Sequence, residues 1–116
     1  MSDYIGIDPE ALARLERMGG PDFVKKMITL FLEEAPERLA AARQGEQSGD
    51  HTAVADAAHS LKSSAQNFGA SKLSSIAEEI EMLARANHLE NLPTLLHDLE
   101  QAYSTVRSWL EGQRNK

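Results

Sequence analysis

This sequence predicts an all-α fold, an antiparallel up-down four-helix bundle with a short extra N-terminal helix. Three observations lead there. Aromatic residues make up only 5% of the chain and Ala and Leu dominate its apolar set, side chains that lose little freedom in a helix, while the β-branched residues a sheet would favour are sparse. Apolar positions recur at steps of three and four in several segments divided by Gly, Pro and polar clusters. The 116 residues suit one core, so a single helical-bundle domain spanning residues 1–116 is expected.

The elements follow in order. Asp8-Pro9-Glu10 starts a short helix, with Asp8 placed to cap and Pro9 at the first helical position. This helix carries Leu12, Leu15 and Met18 and stops at Gly19-Gly20. A second helix starts at Pro21-Asp22 and carries Val24, Met27, Ile28, Phe31 and Leu32. Pro36 removes a backbone donor, which predicts a kink or break there. The pattern resumes with Leu39 and Ala42, and Gly45 to Asp50 reads as a loop. Asp50 caps a third helix running to about Phe68, and Gly69 is its stop. Ser71 reads as the cap of the next helix, which carries Leu73, Ile76, Ile80 and Leu83 and ends near Asn87. The last begins around Asn91-Leu92-Pro93 and carries Leu95, Leu96, Leu99, Tyr103, Val106 and Leu110. No stretch reads as a strand. Short loops make antiparallel neighbours the natural packing, with the N-terminal helix across one end.

Charge and composition narrow the function. A formal net charge of −6 repels nucleic-acid backbones and anionic membranes, so neither is expected as a partner. With no cysteine there is no disulfide framework, thiol nucleophile or Cys-based zinc site. The N-terminus lacks the basic stretch and apolar run of a signal peptide, and no segment approaches the ~18 consecutive apolar residues of a membrane span. A cytoplasmic location is the expectation. The Met1 start and the polar end Gln113-Arg114-Asn115-Lys116 read as those of a free-standing protein.

The chemistry lies in the segment DHTAVADAAHSLKSSAQNFGA, from Asp50 to Ala70. Val54, Ala58, Leu61, Ala65 and Phe68 form a buried seam, and at about 100° per residue His59 points roughly 140° away from its middle. A histidine serving the core would lie on or beside that stripe, so His59 is expected to face water. Taken alone, such a histidine is most often only a surface residue. Its neighbours sharpen the reading: Thr52, Ala55, Ser63 and, past the helix end, Ala70 are small and leave room for another protein. Lys62, three residues on, is placed to swing beside the ring and stabilise an anionic group attached to it. Gln66 lies on the same side as a possible hydrogen-bond donor.

The remaining histidines, His51, His88 and His97, fit no HExxH or paired-ligand spacing, so no metal is expected. The Glu33-Glu34-Glu37 and Glu78-Glu79-Glu81 clusters lack the Glu-x-x-His partners of a di-iron bundle and read as solvated helix faces.

The run His59-Ser60-Leu61-Lys62-Ser63-Ser64-Ala65-Gln66-Asn67-Phe68-Gly69-Ala70, followed by Leu73, resembles the signature of histidine-containing phosphotransfer (HPt) domains of bacterial two-component phosphorelays. That pattern is His, a variable residue, an aliphatic, Lys, a small residue usually Gly, further small residues, an apolar residue, then Gly and a later Leu. The likeness extends to Phe31–Leu39 (FLEEAPERL) and to the turn at Gly49-Asp50, nearly the whole chain. It implies a four-helix bundle exposing His59 as phosphoacceptor, phosphorylated on Nε2 by the aspartyl phosphate of a receiver domain, with Lys62 assisting near the phosphate. Thr52, Ala55, Ser63, Gln66, Gly69 and Ala70 are the expected partner interface. Two positions depart from the pattern. Ser63 stands where Gly is usual. Glu81 stands where some members carry a Gln that orients the histidine, and with Arg85 at i+4 it also reads as a surface ion pair.

The resemblance implies a phosphorelay intermediate in which His59 accepts a phosphoryl group from one receiver and passes it to, or takes it back from, another. The expected partners are receiver domains of response regulators, a hybrid histidine kinase, or both, with Mg²⁺ on the receiver and no cofactor on this chain. With no Gly-rich phosphate loop and no room for a separate ATP-binding domain, the chain is expected to be a carrier without kinase activity of its own, and monomeric. The rival from another class is a helical binding module or anti-regulator of a receiver or kinase that transfers nothing; His59 with Lys62 argues against it. A dimeric histidine-kinase hairpin is the third reading, but that motif places an acidic residue after the histidine, and Ser60 is there instead.

Overall fold

Two of the helix starts in this chain are written by aspartate caps. In the computed structural model, which describes residues 6–115, the backbone N–H of Glu10 donates to Asp8 Oδ1 at 3.0 Å, opening α1 over Pro9–Gly19. Gly20, at φ +87, closes it by donating its N–H to the Glu16 carbonyl. Helix α2 covers Pro21–Ser48 and α3 covers His51–Asn67, where Asp50 accepts from the Ala53 N–H at 3.1 Å. Helix α4 covers Ser71–Arg85 and α5 covers Leu92–Arg114. Among the described residues there are five helices and no strand, only one isolated bridge between Ile7 and Ala70.

Three sequence expectations need correcting. Pro36 does not break α2, which continues through it; the buried neighbours Phe31 and Ala35 hold the helix in the core, while the exposed Pro36 lies where water can take the place of the missing donor. The segment from Gly45 is not a loop. Gly45 is a buried helical residue, and a Cβ there would meet Val54 Cγ2 at 3.0 Å and the Asp50 carbonyl at 3.1 Å. The missing side chain lets α2 run against the start of α3, which leaves Gly49 and Asp50 as the turn. Ser71 does not cap α4: Ala70 holds that position, and Ser71 Oγ donates to the Gly6 carbonyl at 3.4 Å.

Packing joins α2 to α3, α3 to α4, α4 to α5 and α5 back to α2, closing a ring of four helices, with α1 against α2. The predicted seam of α3 is buried throughout, and each large apolar side chain so placed contributes about 1.5–3 kcal/mol. At the centre Phe31 stacks obliquely on Phe68 and Tyr103, ring centroids 5.2 and 5.8 Å away. The chain before α1 is pinned to the α3–α4 turn by the Asp8 N–H, which donates to the Gly69 carbonyl at 2.8 Å. No helix among the described residues is long and apolar enough to cross a membrane.

Candidate functional site

His59 sits near the middle of α3, its side chain 55% exposed. The ring is not free to turn. Its Nδ1 lies 3.0 Å from Oε2 of Glu81 on α4. Glu81 belongs to the buried stripe of α4 with Leu73, Ala77, Ile80 and Ala84, so the packing of α4 on α3 aims its carboxylate at the imidazole from the core side. The residue is only 8% exposed, which corrects its reading as half of a surface ion pair.

Three side chains converge on that carboxylate. Besides His59, the Lys62 ammonium lies 2.9 Å from Oε1, and Arg85 donates to Oε2 from Nε at 3.1 Å and Nη2 at 3.0 Å. Arg85 also reaches Asp56 Oδ1 at 3.8 Å, one turn before His59. Burial pushes the Glu81 carboxyl up, but the hydrogen bonds from Lys62 and Arg85 and the charges of Lys62 and His59 outweigh it, so it is held below the ordinary carboxylate range. Ionised, Glu81 can only accept. The bond to the ring is therefore donated by Nδ1–H, and in the neutral imidazole the lone pair lies on Nε2. No hydrogen bond or ion pair within the described residues engages Nε2. The site thus holds an oriented imidazole whose Nε2 lone pair is left open to an incoming group.

On the other side of the ring, α2 and α3 frame an open cleft of about 250 Å³ where Glu34, Arg38, Ser60, Ser63 and Ser64 accompany His59. A larger cleft, about 810 Å³ between α4 and α5, includes neither His59 nor its partners.

The expected site residues divide. Lys62 is near the ring, as its spacing requires, but its ammonium is paired with Glu81 and its side chain is only 21% exposed. Thr52, Ser63 and Gln66 are exposed. Ala55 and Ala70 are not available to a partner, being 1% and 0% exposed. Four residues turn a helix through about 400°, so Ala55 lies about 40° nearer the seam than His59, where α4 covers it; Ala70 is buried where the chain turns between α3 and α4. Gly69 is half-buried, and a Cβ there would meet Asp8 Cβ at 2.8 Å and Ala11 Cβ at 2.9 Å. The sequence reading missed Asp56, Glu34 and Arg38. Asp56 could have been found at i−3 from His59, but nothing local marks the other two, which come from another helix.

Fold and site together define a helical protein that presents one oriented histidine to solvent. The chain belongs to the Hpt domain family, whose model matches residues 26–109. It is 27% identical over 110 residues to the phosphorelay protein LuxU of Vibrio vulnificus, covering 94% of this chain and 96% of LuxU. It is 25% identical over 107 residues to histidine-containing phosphotransfer protein 2 of Arabidopsis thaliana, covering 90% of this chain and 69% of that protein. The crystal structure of histidine-containing phosphotransfer protein B (HptB) of Pseudomonas aeruginosa matches with a TM-score of 0.90 at 29% identity, over 95% of both chains.

Proposed function

We propose that this chain is a phosphorelay intermediate: His59 takes a phosphoryl group on Nε2 from a receiver-domain aspartyl phosphate and passes it to another receiver, or returns it. The observation that carries this reading is the Nδ1 contact to buried Glu81 at 3.0 Å, which directs the other nitrogen of an exposed ring outward. Glu81 is the orienting residue. A module that only binds has no use for a nucleophile held in this way. The receiver supplies the acyl phosphate, its Mg²⁺ and an acidic pocket; this chain supplies position and charge stabilisation, which is most of what phosphoryl transfer asks of an acceptor. It is a carrier, not a kinase. Family membership and the relatives named for phosphotransfer support the same reading.

The receiver docks over α3 around His59, against Thr52, Ser63 and Gln66 and the rim of the α2–α3 cleft. Lys62 stabilises the transferring phosphoryl group by turning its ammonium from Glu81 towards the phosphate oxygens. The helices α2 to α5, joined by short turns, form the antiparallel up-down bundle that holds these groups in place. The protein acts as a monomer in the cytoplasm.

Incubation with a phosphorylated receiver domain tests the proposal: acid-labile, alkali-stable label is expected on the wild type and none on His59→Gln. Label that persists in the variant, or never appears with any candidate receiver, overturns it. For Lys62→Ala the expected outcome is transfer slowed about tenfold with helix content unchanged, the loss of one cation at a partly solvated transition state. Unchanged rates remove Lys62 from the mechanism.

A further inference from the structure

The α2–α3 cleft beside His59 holds a set of donors that the contact with α4 does not use. We propose that Arg38, together with the hydroxyl of Ser63, binds the oxygens of the phosphoryl group on His59, so that α2 supplies an uncommitted cation to the transfer. This rests on the reading that His59 is phosphorylated on Nε2.

A phosphoryl group carries roughly 1.5–2 negative charges near neutral pH, and here it joins a chain of net charge −6. The cations on the α4 flank of the ring are already committed. The Lys62 ammonium lies 2.9 Å from Glu81 Oε1, and Arg85 is held by Glu81 at 3.0 Å and Asp56 at 3.8 Å. Arg38 is different. Its guanidinium has no ion pair or hydrogen bond among the described residues. Glu34 precedes it by four residues on α2, a spacing at which opposite charges commonly pair, yet the two side chains are not joined. Both are exposed and line the cleft.

The serine hydroxyls face the same way. At about 100° per residue, Lys62 lies about 60° from His59 round α3, on the flank that α4 covers. Ser63, Ser60 and Ser64 lie about 40°, 100° and 140° from it in the opposite sense, towards α2. All three line the cleft. None gives its hydroxyl to a protein acceptor among the described residues, whereas Ser74 and Thr105 donate theirs to the carbonyls of Ser71 and Gln101. With Nδ1 held against Glu81, the opposite edge of the ring turns to this cleft. Ser63 is the serine nearest to His59 round the helix, at the position where the HPt pattern usually has Gly, so its hydroxyl is a donor that the usual residue lacks.

These groups suit a phosphoryl acceptor. A planar guanidinium offers two parallel N–H donors to two oxygens of one group, and the Ser63 hydroxyl offers one to the third. During transfer, phosphorus lies in line between Nε2 and the receiver's carboxylate, with its three oxygens pointing sideways. A cation beside the ring reaches them without blocking either axial partner. Glu34 is the opposing anion in the same cleft, and its repulsion limits how tightly the group is held.

The test loads the ring with phosphoramidate, a small anionic donor that needs no receiver. The Nε2 lone pair forms the new N–P bond, the donor's P–N bond breaks, and its electron pair leaves with the ammonia already protonated in the donor. Label on His59→Gln gives the background from the other histidines. Arg38→Ala is expected to slow loading of His59 about tenfold, the loss of one cation at a partly solvated transition state. The same factor is expected for transfer from a phosphorylated receiver. Arg38→Lys, which keeps the charge without the fork, should recover part of the loss; Ser63→Ala should slow loading about threefold, the worth of one exposed hydrogen bond. Glu34→Gln is expected to speed loading. In the wild type, NMR should show the Arg38 Nε–H signal shifting and exchanging more slowly with water once His59 is loaded. An Arg38 signal that does not respond overturns the proposal without any variant. So does unchanged loading of Arg38→Ala, and so does a loss confined to transfer from the receiver, which assigns Arg38 to protein docking instead. Failure of a phosphorylated receiver to label the wild type overturns the relay reading, and loading by phosphoramidate still decides the role of Arg38.

Discussion

At His59 the geometry of a single hydrogen bond separates an oriented surface histidine from a freely turning one. The bond works because Glu81 is both buried and ionised, a combination sustained by Lys62 and Arg85. A carboxyl whose folded value lies below the ordinary 4.5 adds stability that is present above that ordinary value and is lost as pH falls through the folded one. Replacing Glu81 by Gln, which mimics the protonated acid, is therefore expected to cost about 1–3 kcal/mol near neutral pH. The gap closes in acid. Urea-unfolding midpoints of the two proteins between neutral pH and pH 3 measure it, and a gap independent of pH would contradict the argument. Tyr103 makes the opposite case. Its hydroxyl is buried without a hydrogen-bond partner among the described residues, and that burial, with Glu111 assisting and Arg107 opposing, pushes its pKa up. Tyr103→Phe keeps the ring packing on Phe31 and removes an unsatisfied group, so thermal denaturation is expected to show it unchanged or more stable by up to about 1 kcal/mol.

Among the helices, two glycines of the same nominal propensity are expected to behave oppositely. Ala is preferred over Gly inside a helix by about 1 kcal/mol. Gly112, in α5, has nothing within 4 Å of an added Cβ, so Gly112→Ala should recover part of that preference. Gly45 has Val54 and the Asp50 carbonyl at 3.0 and 3.1 Å, one of them backbone, so Gly45→Ala should destabilise by about 1–2 kcal/mol as α2 is pushed from α3. Chemical denaturation of the pair checks both signs. These two residues also show what was legible at this scale. The capping roles of Asp8 and Asp50 follow from residue type and position, because a cap acts within its own turn. Gly45 and Pro36 look like breakers in isolation, yet both lie inside α2, where contacts with another helix outweigh local preference.

For the whole molecule, the ring of four helices is the device that makes a site from separated segments. His59 and Glu81 stand 22 residues apart and meet only because α3 and α4 lie side by side. Glu34 and Arg38 reach the cleft from α2, on the other flank of α3. On a chain of net charge −6, Lys62, Arg85 and Arg38 thus meet around His59 from three different helices, each beside a carboxylate.

The sequence by itself determined that Asp8 and Asp50 cap α1 and α3, that α3 turns its apolar seam inward, and that His59 faces out. Each of those properties follows from periodicity or capping, which act within one helix. Tertiary structure decided that Glu81 is the buried partner of Nδ1, that Lys62 is paired with it, and that Ala55 and Ala70 are covered. Those depend on which face of one helix meets which face of another, and no pattern internal to α3 carries that information. His59 was legible as an exposed histidine, and Glu81 only as a position where relatives of similar pattern orient the ring; the contact between them came from the packing of α4 on α3.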